Sequence, residues 1–287
     1  MSSKKIIVGS GKLKKIEIGG DNPLIFIGGP CAIENKEHAL SMASKISKIC
    51  KKINIQWIYK SSYEKDCRSS IDSFYGVGLD KGLKILSKVR EEFGIPVVTD
   101  FAKKTHAKEI GKICDMIQVP AYLCRQTSIL LSAAKTNKPV LLKKGQFMSP
   151  WNMKNSVRKI QSAGNDDILL TDRGTFFGYN MLVNDFRNFS IMQSTGFPVC
   201  FDASHSVQLP TSMGNISGGQ IEFVPSLSRA AAACGINAIF IEVHDNPKNA
   251  LSDKNTVLNL EQLEKVLSQT KKIHELRIEL SKKWGND

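Results

Sequence analysis

The sequence has no run of 18 apolar residues, no C-x-x-C pair, no low-complexity or Pro/Gly/Ser-rich linker, and fewer acidic than basic residues. Each lack excludes something. Without a long apolar run, no transmembrane helix is expected. The seven cysteines (Cys31, Cys50, Cys67, Cys114, Cys124, Cys200 and Cys234) are odd in number and scattered, which excludes a disulfide framework and points to reduced thiols in the cytosol. Met1-Ser-Ser-Lys-Lys leads into a short β-like run, not an apolar signal core, so a cytoplasmic location is expected. No linker marks a boundary, and residues 1–287 read as one domain. Gly174, Gly178, Gly218 and Gly219 form no G-x-G-x-x-G between strand and helix, so no dinucleotide loop is present.

The composition is otherwise that of a globular protein: 41% hydrophobic and 23% charged among 287 residues. Lys+Arg 40 against Asp+Glu 27 leaves a formal charge of +13. Such a balance suits nucleic acid, a membrane surface or small anionic substrates. No basic ribbon interleaved with aromatics appears, which argues against a nucleic-acid reader. Lys265, Lys271, Lys272, Lys282 and Lys283 alternate with Glu and read as a solvated helix face.

Short apolar runs that stop abruptly at polar residues recur eight times: Leu24–Gly28, Gln56–Tyr59, Pro96–Thr99, Met116–Val119, Pro139–Leu142, Ile168–Thr171, Pro198–Phe201 and Ala238–Ile241. Near-continuous apolar runs of this length are strands buried on both faces. Stretches of helical period lie between them. One is Leu79–Phe93, stopped by Gly94. Eight strands alternating with helices predict a parallel (β/α)8 TIM barrel, with an open doubly wound sheet as the alternative. Lys5–Val8 and Leu13–Ile18 flank Gly9-Ser-Gly11 as an N-terminal β-hairpin suited to capping the barrel bottom. Leu260–Lys283 fits the last barrel helix.

The residues leaving each run carry the chemistry: Gly29-Pro-Cys31, Lys60-Ser-Ser62, Asp100, Pro120, Lys143-Lys144, Asp172-Arg173, Asp202-Ala-Ser-His205 and Glu242-Val-His244. In a barrel they converge at the C-terminal rim, where active sites are built. Lys60, Lys65, Lys143 and Arg173 would meet in one mouth, and gathered cations call for a polyanion such as a phosphate ester bearing a carboxylate. Lys65-Asp-Cys-Arg68-Ser69-Ser70 suits a terminal phosphate, although a solvated polar loop looks similar. Cys31, His205, Glu242 and Asp253 offer thiolate, imidazole and two carboxylates, a set suited to one divalent ion such as Zn, Fe, Co or Mn. Cys31 can equally be a small buried hydrophobe and Asp253 a helix cap. His38, His106 and His274 are expected on the surface, and His244 near the rim.

These motifs resemble the 3-deoxy-D-manno-octulosonate 8-phosphate synthases. The residues that carry the resemblance are Gly29-Pro-Cys-Ala-Ile-Glu34, Lys60-Ser-Ser, Lys65-x-x-Arg68-Ser-Ser70, Ile117-Gln-Val-Pro-Ala121, Cys124-Arg-Gln126, Lys143-Lys-Gly-Gln-Phe147, Asp172-Arg-Gly174, Phe177-Gly-Tyr-Asn180, Asp202-Ala-Ser-His-Ser-Val-Gln-Leu-Pro210 and Ala250-Leu-Ser-Asp253. They cover almost the whole chain. The resemblance implies a cytoplasmic homotetramer that condenses phosphoenolpyruvate with D-arabinose 5-phosphate for lipopolysaccharide core synthesis.

It further implies phosphoenolpyruvate binding by Lys60, Lys65, Gln118, Lys143 and Arg173. Arabinose 5-phosphate would contact Cys67, Arg68, Ser69 and Pro120, with Arg125 reaching in from a neighbouring subunit. Lys60, Lys143, His205 and Asp253 would be catalytic. Cys31, His205, Glu242 and Asp253 match the metal ligands of the metal-dependent branch. The metal-free branch has Asn at the place of Cys31 and Cys-Asp-Gly where this chain reads Ser252-Asp253-Lys254. Two departures stand out: Cys67 replaces the usual Asn of the sugar loop, and Ala102 replaces a rim His. The related synthase that uses erythrose 4-phosphate in aromatic amino-acid synthesis is the alternative. It resembles a Lys-Pro-Arg-Thr loop where this chain has Lys65-x-x-Arg-Ser-Ser.

Overall fold

The computed structural model describes residues 4–66, 70–213 and 216–285. The chain opens with two short strands, β1 (Ile6–Val8) and β2 (Ile16–Ile18). Strands β3 (Ile25–Gly29), β4 (Gln56–Lys60), β5 (Val97–Asp100), β6 (Met116–Val119), β7 (Val140–Lys143) and β8 (Ile168–Asp172) follow. Two rim hairpins, β9 (Thr175–Phe176) with β10 (Leu182–Val183) and β12 (Gln208–Met213) with β13 (Ile216–Gly219), flank β11 (Val199–Asp202). The last strand is β14 (Ala238–Glu242). Helices α1 (Lys36–Ile53), α2 (Leu79–Phe93), α3 (Ala107–Ile113), α4 (Thr127–Ala134), α5 (Met153–Gln161), α6 (Arg187–Gln193), α7 (Val224–Ala233) and α8 (Leu260–Trp284) intervene.

All eight apolar runs are strands of one closed parallel barrel, in the order β11-β14-β3-β4-β5-β6-β7-β8. This is the (β/α)8 arrangement, and the open sheet is excluded because β8 pairs with β11, Phe201 opposite Asp172. Seven of the eight strands run one residue further than the apolar patterns, β6 ending with its run at Val119, so Lys60, Asp100, Lys143, Asp172, Asp202 and Glu242 are themselves terminal strand residues. Their backbones are held by the barrel, which makes the rim a rigid mount. Gly28 and Gly29 let β14 and β4 approach closely. A Cβ at Gly28 would lie 2.1 Å from the Ile241 carbonyl oxygen, and one at Gly29 would lie 2.4 Å from that of Lys60.

The N-terminal hairpin closes the barrel bottom as expected. Ile6 faces Ile18 and Val8 faces Ile16 across the antiparallel pair. All four are buried in one cluster with Ile25, Val98, Met116 and Leu169 of the lumen. A polar clasp fixes it: Arg90 of α2 donates to both oxygens of buried Asp115, at 2.8 and 3.0 Å, and the Ser10 amide and hydroxyl donate to the same carboxylate. Helix α8 starts with a reciprocal capping box between Asn259 and Gln262.

One expectation fails here. His274 is fully buried, not on the surface, and its Nε2 lies 3.1 Å from the Asn22 carbonyl oxygen. Helix α8 packs against both α7 and α1, so two of its faces are covered. His38 and His106 are half-buried. No described helix is long and apolar enough to cross a membrane.

Candidate active site

A cavity of about 380 Å³ opens at the C-terminal rim and is lined by Lys60, Lys65, Gln118, Pro120, Lys143, Arg173, His205 and Asp253 among others. The expected cations therefore meet in one mouth. They do not meet bare. The Lys60 ammonium lies 3.2 Å from Glu242 Oε1 and 3.6 Å from Asp100 Oδ1, and donates to Ser62 Oγ at 2.9 Å. Lys143 is ion-paired with Asp202, and its ammonium stands 3.7 Å from the centre of the Phe240 ring, a cation–π contact. Lys65 lies 3.8 Å from Glu242 Oε1. Buried carboxylates of the same rim neutralise three of the four, so repulsion among bare cations does not by itself call for a polyanion, contrary to the expectation from sequence. Arg173 is the exception. Among the described residues no carboxylate forms an ion pair with it, and one terminal nitrogen donates to the His205 carbonyl oxygen (3.0 Å) and to Gln208 Oε1 (2.6 Å).

The titration of these groups follows from burial and pairing. Burial pushes the Lys143 ammonium below the ordinary lysine range, with nearby Lys60 acting the same way and Asp202 opposing. Burial likewise lowers the Arg173 guanidinium. Burial alone would raise the carboxyls of Asp202 and Glu242, but His205 and Lys143 hold the first well down, and Lys65, His205 and Lys60 hold the second well down.

Three of the four expected metal ligands converge tightly. One donor atom each from Cys31, Glu242 and Asp253 lies within 4.8 Å of the others. His205 joins from beside them: its Nε2 is 3.6 Å from Glu242 Oε2 while its Nδ1 faces Asp202 at 2.8 Å. A carboxylate behind the distal ring nitrogen is the arrangement that orients a ligating imidazole. Glu242 Oε2 is buried without a hydrogen-bond partner among the described residues. Asp253 sits at φ 52°, a left-handed conformation costly for a non-glycine residue and typical of side chains aimed at a site. The donor set and the orphaned oxygen fit a borderline divalent ion. A thiol eased towards thiolate by nearby lysines is, however, not what the structure has. Burial, then Asp253 and Glu242, push the Cys31 thiol well up, and Lys65 and Lys60 only partly oppose them. Its Sγ donates to Asp253 Oδ2 at 2.9 Å.

Gln118 and Pro120 line the cavity as expected. Arg125 is exposed and does not line it. Cys67, Arg68 and Ser69 lie outside the described residues. Two further side chains were not singled out in the sequence as site residues. Asp202 is fully buried and serves both Lys143 and His205. Gln208 bridges, accepting from Arg173 and donating to Asp253 Oδ1 at 2.8 Å. The need for a counter-ion to a buried lysine on the same rim was the signal for Asp202. Gln208 stands within the motif Asp202–Pro210, but nothing there marks it as a bridge.

A parallel barrel with a cation-lined cavity and a thiol–carboxylate cluster on its C-terminal rim has the build of a (β/α)8-barrel enzyme. Residues 5–279 match the DAHP synthetase I family, and the chain belongs to it. Among its relatives it is similar to proteins named 2-dehydro-3-deoxyphosphooctonate aldolase. That of Protochlamydia amoebophila is 48% identical over 264 residues (92% of this chain, 96% of that protein), and that of a Cyanothece species is 50% identical over 254 residues (88% and 93%). The protein of that name from Geobacter sulfurreducens is 48% identical over 271 residues, 94% of this chain and 98% of its own.

Proposed function

We propose that the chain condenses phosphoenolpyruvate with D-arabinose 5-phosphate and water, giving 3-deoxy-D-manno-octulosonate 8-phosphate and inorganic phosphate for lipopolysaccharide core synthesis. The observation that carries this reading is the cavity ringed by Lys60, Lys65, Lys143 and Arg173, in a chain about half identical over nearly full length to aldolases of that product. Arg173, with its fork only partly used, and Lys143 take the phosphate and carboxylate of phosphoenolpyruvate, with Lys60, Lys65 and Gln118 completing the clamp. The loop of Cys67, Arg68 and Ser69, with Pro120, takes the sugar phosphate, and Arg125 serves the site of a neighbouring subunit in a homotetramer.

C3 of phosphoenolpyruvate attacks the aldehyde carbon, so a C–C bond forms and C2 gains cationic character. Water adds at C2, and the C2–O bond breaks to expel phosphate. The buried carboxylates Asp202 and Glu242 face the developing positive charge, while the cations hold the leaving phosphate, all at fixed positions in a low-dielectric pocket. Holding both substrates in line removes the entropic cost of a bimolecular encounter. Cys31, His205, Glu242 and Asp253 would hold one divalent ion (Zn, Fe, Co or Mn), which supplies Lewis acidity for the aldehyde end or a bound water. His205 and Asp253 also line the cavity, where they can exchange protons with substrate hydroxyls and water.

Phosphoenolpyruvate carrying heavy oxygen in its bridging position tests the reaction. The label should leave entirely in the phosphate. Label retained in the sugar product would mean P–O cleavage and would refute this course.

A further inference from the structure

A second group of metal-ligand type lies outside the clamp. Glu34, just before α1, His38 in the first turn of α1 and His244, two residues past β14, each bring one donor atom within 4.8 Å of the others. Strands β3 and β14 are hydrogen-bonded neighbours, which is why the segments that follow them meet. Both imidazoles are oriented alike. Their inner nitrogens face Glu34: His244 Nε2 lies 3.0 Å from Oε1 and His38 Nδ1 lies 4.0 Å from Oε2. Their outer nitrogens face one carboxylate oxygen, Asp245 Oδ1, at 3.3 Å from each. The other oxygen of Asp245 is held by Lys45 at 2.7 Å.

His38 Nδ1 is enclosed and has no hydrogen-bond partner among the described residues. With the ring proton on Nε2, where Asp245 accepts it, Nδ1 presents an unused lone pair to the space between the rings. A carboxylate behind each imidazole is the feature that orients histidine ligands in metal sites. The rings are tilted by 34° with centroids 4.6 Å apart, so they do not stack face to face.

We propose that Glu34, His38 and His244 form a second divalent-metal site, of the two-imidazole, one-carboxylate type that zinc takes with a water as fourth ligand. The site is separate from the Cys31 cluster and stands whether or not that cluster binds an ion. In the free protein the Asn246 amide donates to His244 Nδ1 at 2.9 Å, which leaves the ring proton on Nε2 towards Glu34. On binding, Nε2 gives its lone pair to the ion, the ring proton is relocated to Nδ1 facing Asp245, and the Asn246 amide turns to water. The ion staples the start of α1 to the loop after β14, between which Cys31 and Glu242 emerge.

The test titrates metal-free full-length protein with Zn²⁺ and, separately, with Co²⁺. Wild type should bind one more equivalent of Zn²⁺ than His38→Gln, a half-buried position in a first helical turn where Gln is tolerated. Asp245→Asn should weaken that equivalent by about 10–100-fold. With Co²⁺, thiolate charge-transfer absorption reports only the Cys31 cluster and should persist in His38→Gln, while the weaker bands of the nitrogen–oxygen site are lost. Equal Zn²⁺ stoichiometry and affinity in wild type and His38→Gln would overturn the proposal. Loss of the thiolate band on His38 substitution would overturn it too, because the two clusters would then be one site.

Discussion

Arg173→Ala perturbs the clamp where the structure makes it most consequential. The guanidinium is 6% exposed, lines the cavity and is the clamp cation with no carboxylate partner among the described residues. Among the described residues only one terminal nitrogen is bonded to the protein and Nε has no partner, so the rest of the fork is available to an anion. Loss of one preorganised donor to developing charge in a water-poor site costs about 2.7–4 kcal/mol of transition-state stabilisation. At roughly 1.4 kcal/mol per decade, this is about 10²–10³ in kcat/KM for phosphoenolpyruvate. Arg173→Lys keeps the charge but not the fork and should recover only part of the loss. Phosphate release over a range of phosphoenolpyruvate concentrations measures both variants. Lys265→Ala, on the exposed face of α8, is the control and should be unchanged. An Arg173→Ala enzyme within about threefold of wild type in kcat/KM would remove Arg173 from the clamp and refute the argument.

Chelation to verified metal-free protein should abolish turnover, and Zn, Fe, Co or Mn should restore it to different degrees; Cys31→Ala should lose both metal and activity, whereas Cys31→Asn should keep some metal-independent turnover. Full-rate metal-free protein would reduce Cys31 to a packed thiol. Asp115→Ala at the barrel bottom strands Arg90 and the Ser10 amide and should cost about 3–5 kcal/mol in denaturant unfolding with little effect on KM. Asp202→Ala leaves the Lys143 ammonium buried without its partner, so both stability and turnover should fall, by a similar 3–5 kcal/mol in the former. Burial lowers the His274 imidazole below its usual 6.5, with the Asn22 carbonyl opposing. The unfolded chain therefore takes up this proton first, and stability held above about pH 6.5 is lost as pH falls below it. His274→Leu should flatten that part of the pH–stability curve relative to wild type.

The barrel was legible because strands buried on both faces leave runs such as Ile168–Thr171 and Ala238–Ile241 that stop where they reach the rim. The ends were legible for the same reason, which is how Lys60, Lys143 and Glu242 were found together. The rim hairpins were not. Thr175–Phe176 and Leu182–Val183 are too short for a period, and Gln208–Met213 with Ile216–Gly219 is polar and glycine-rich. Pairing across the site also escaped, since sequence distance hides that Asp202 neutralises Lys143 and that Gln208 links Arg173 to Asp253. His274 misled because a histidine among lysines and glutamates looks solvated, while helix packing decides its face. The state of the Cys31 thiol was not legible either: lysines lie near it, but burial and two carboxylates outweigh them.

Offering phosphoenolpyruvate with each aldose phosphate in turn, and measuring phosphate release, tests the central claim most directly. Arabinose 5-phosphate should support turnover with far higher kcat/KM than erythrose 4-phosphate, with one phosphate released per sugar consumed. Preference for erythrose 4-phosphate, or no release with either sugar in metal-replete protein, would contradict the account.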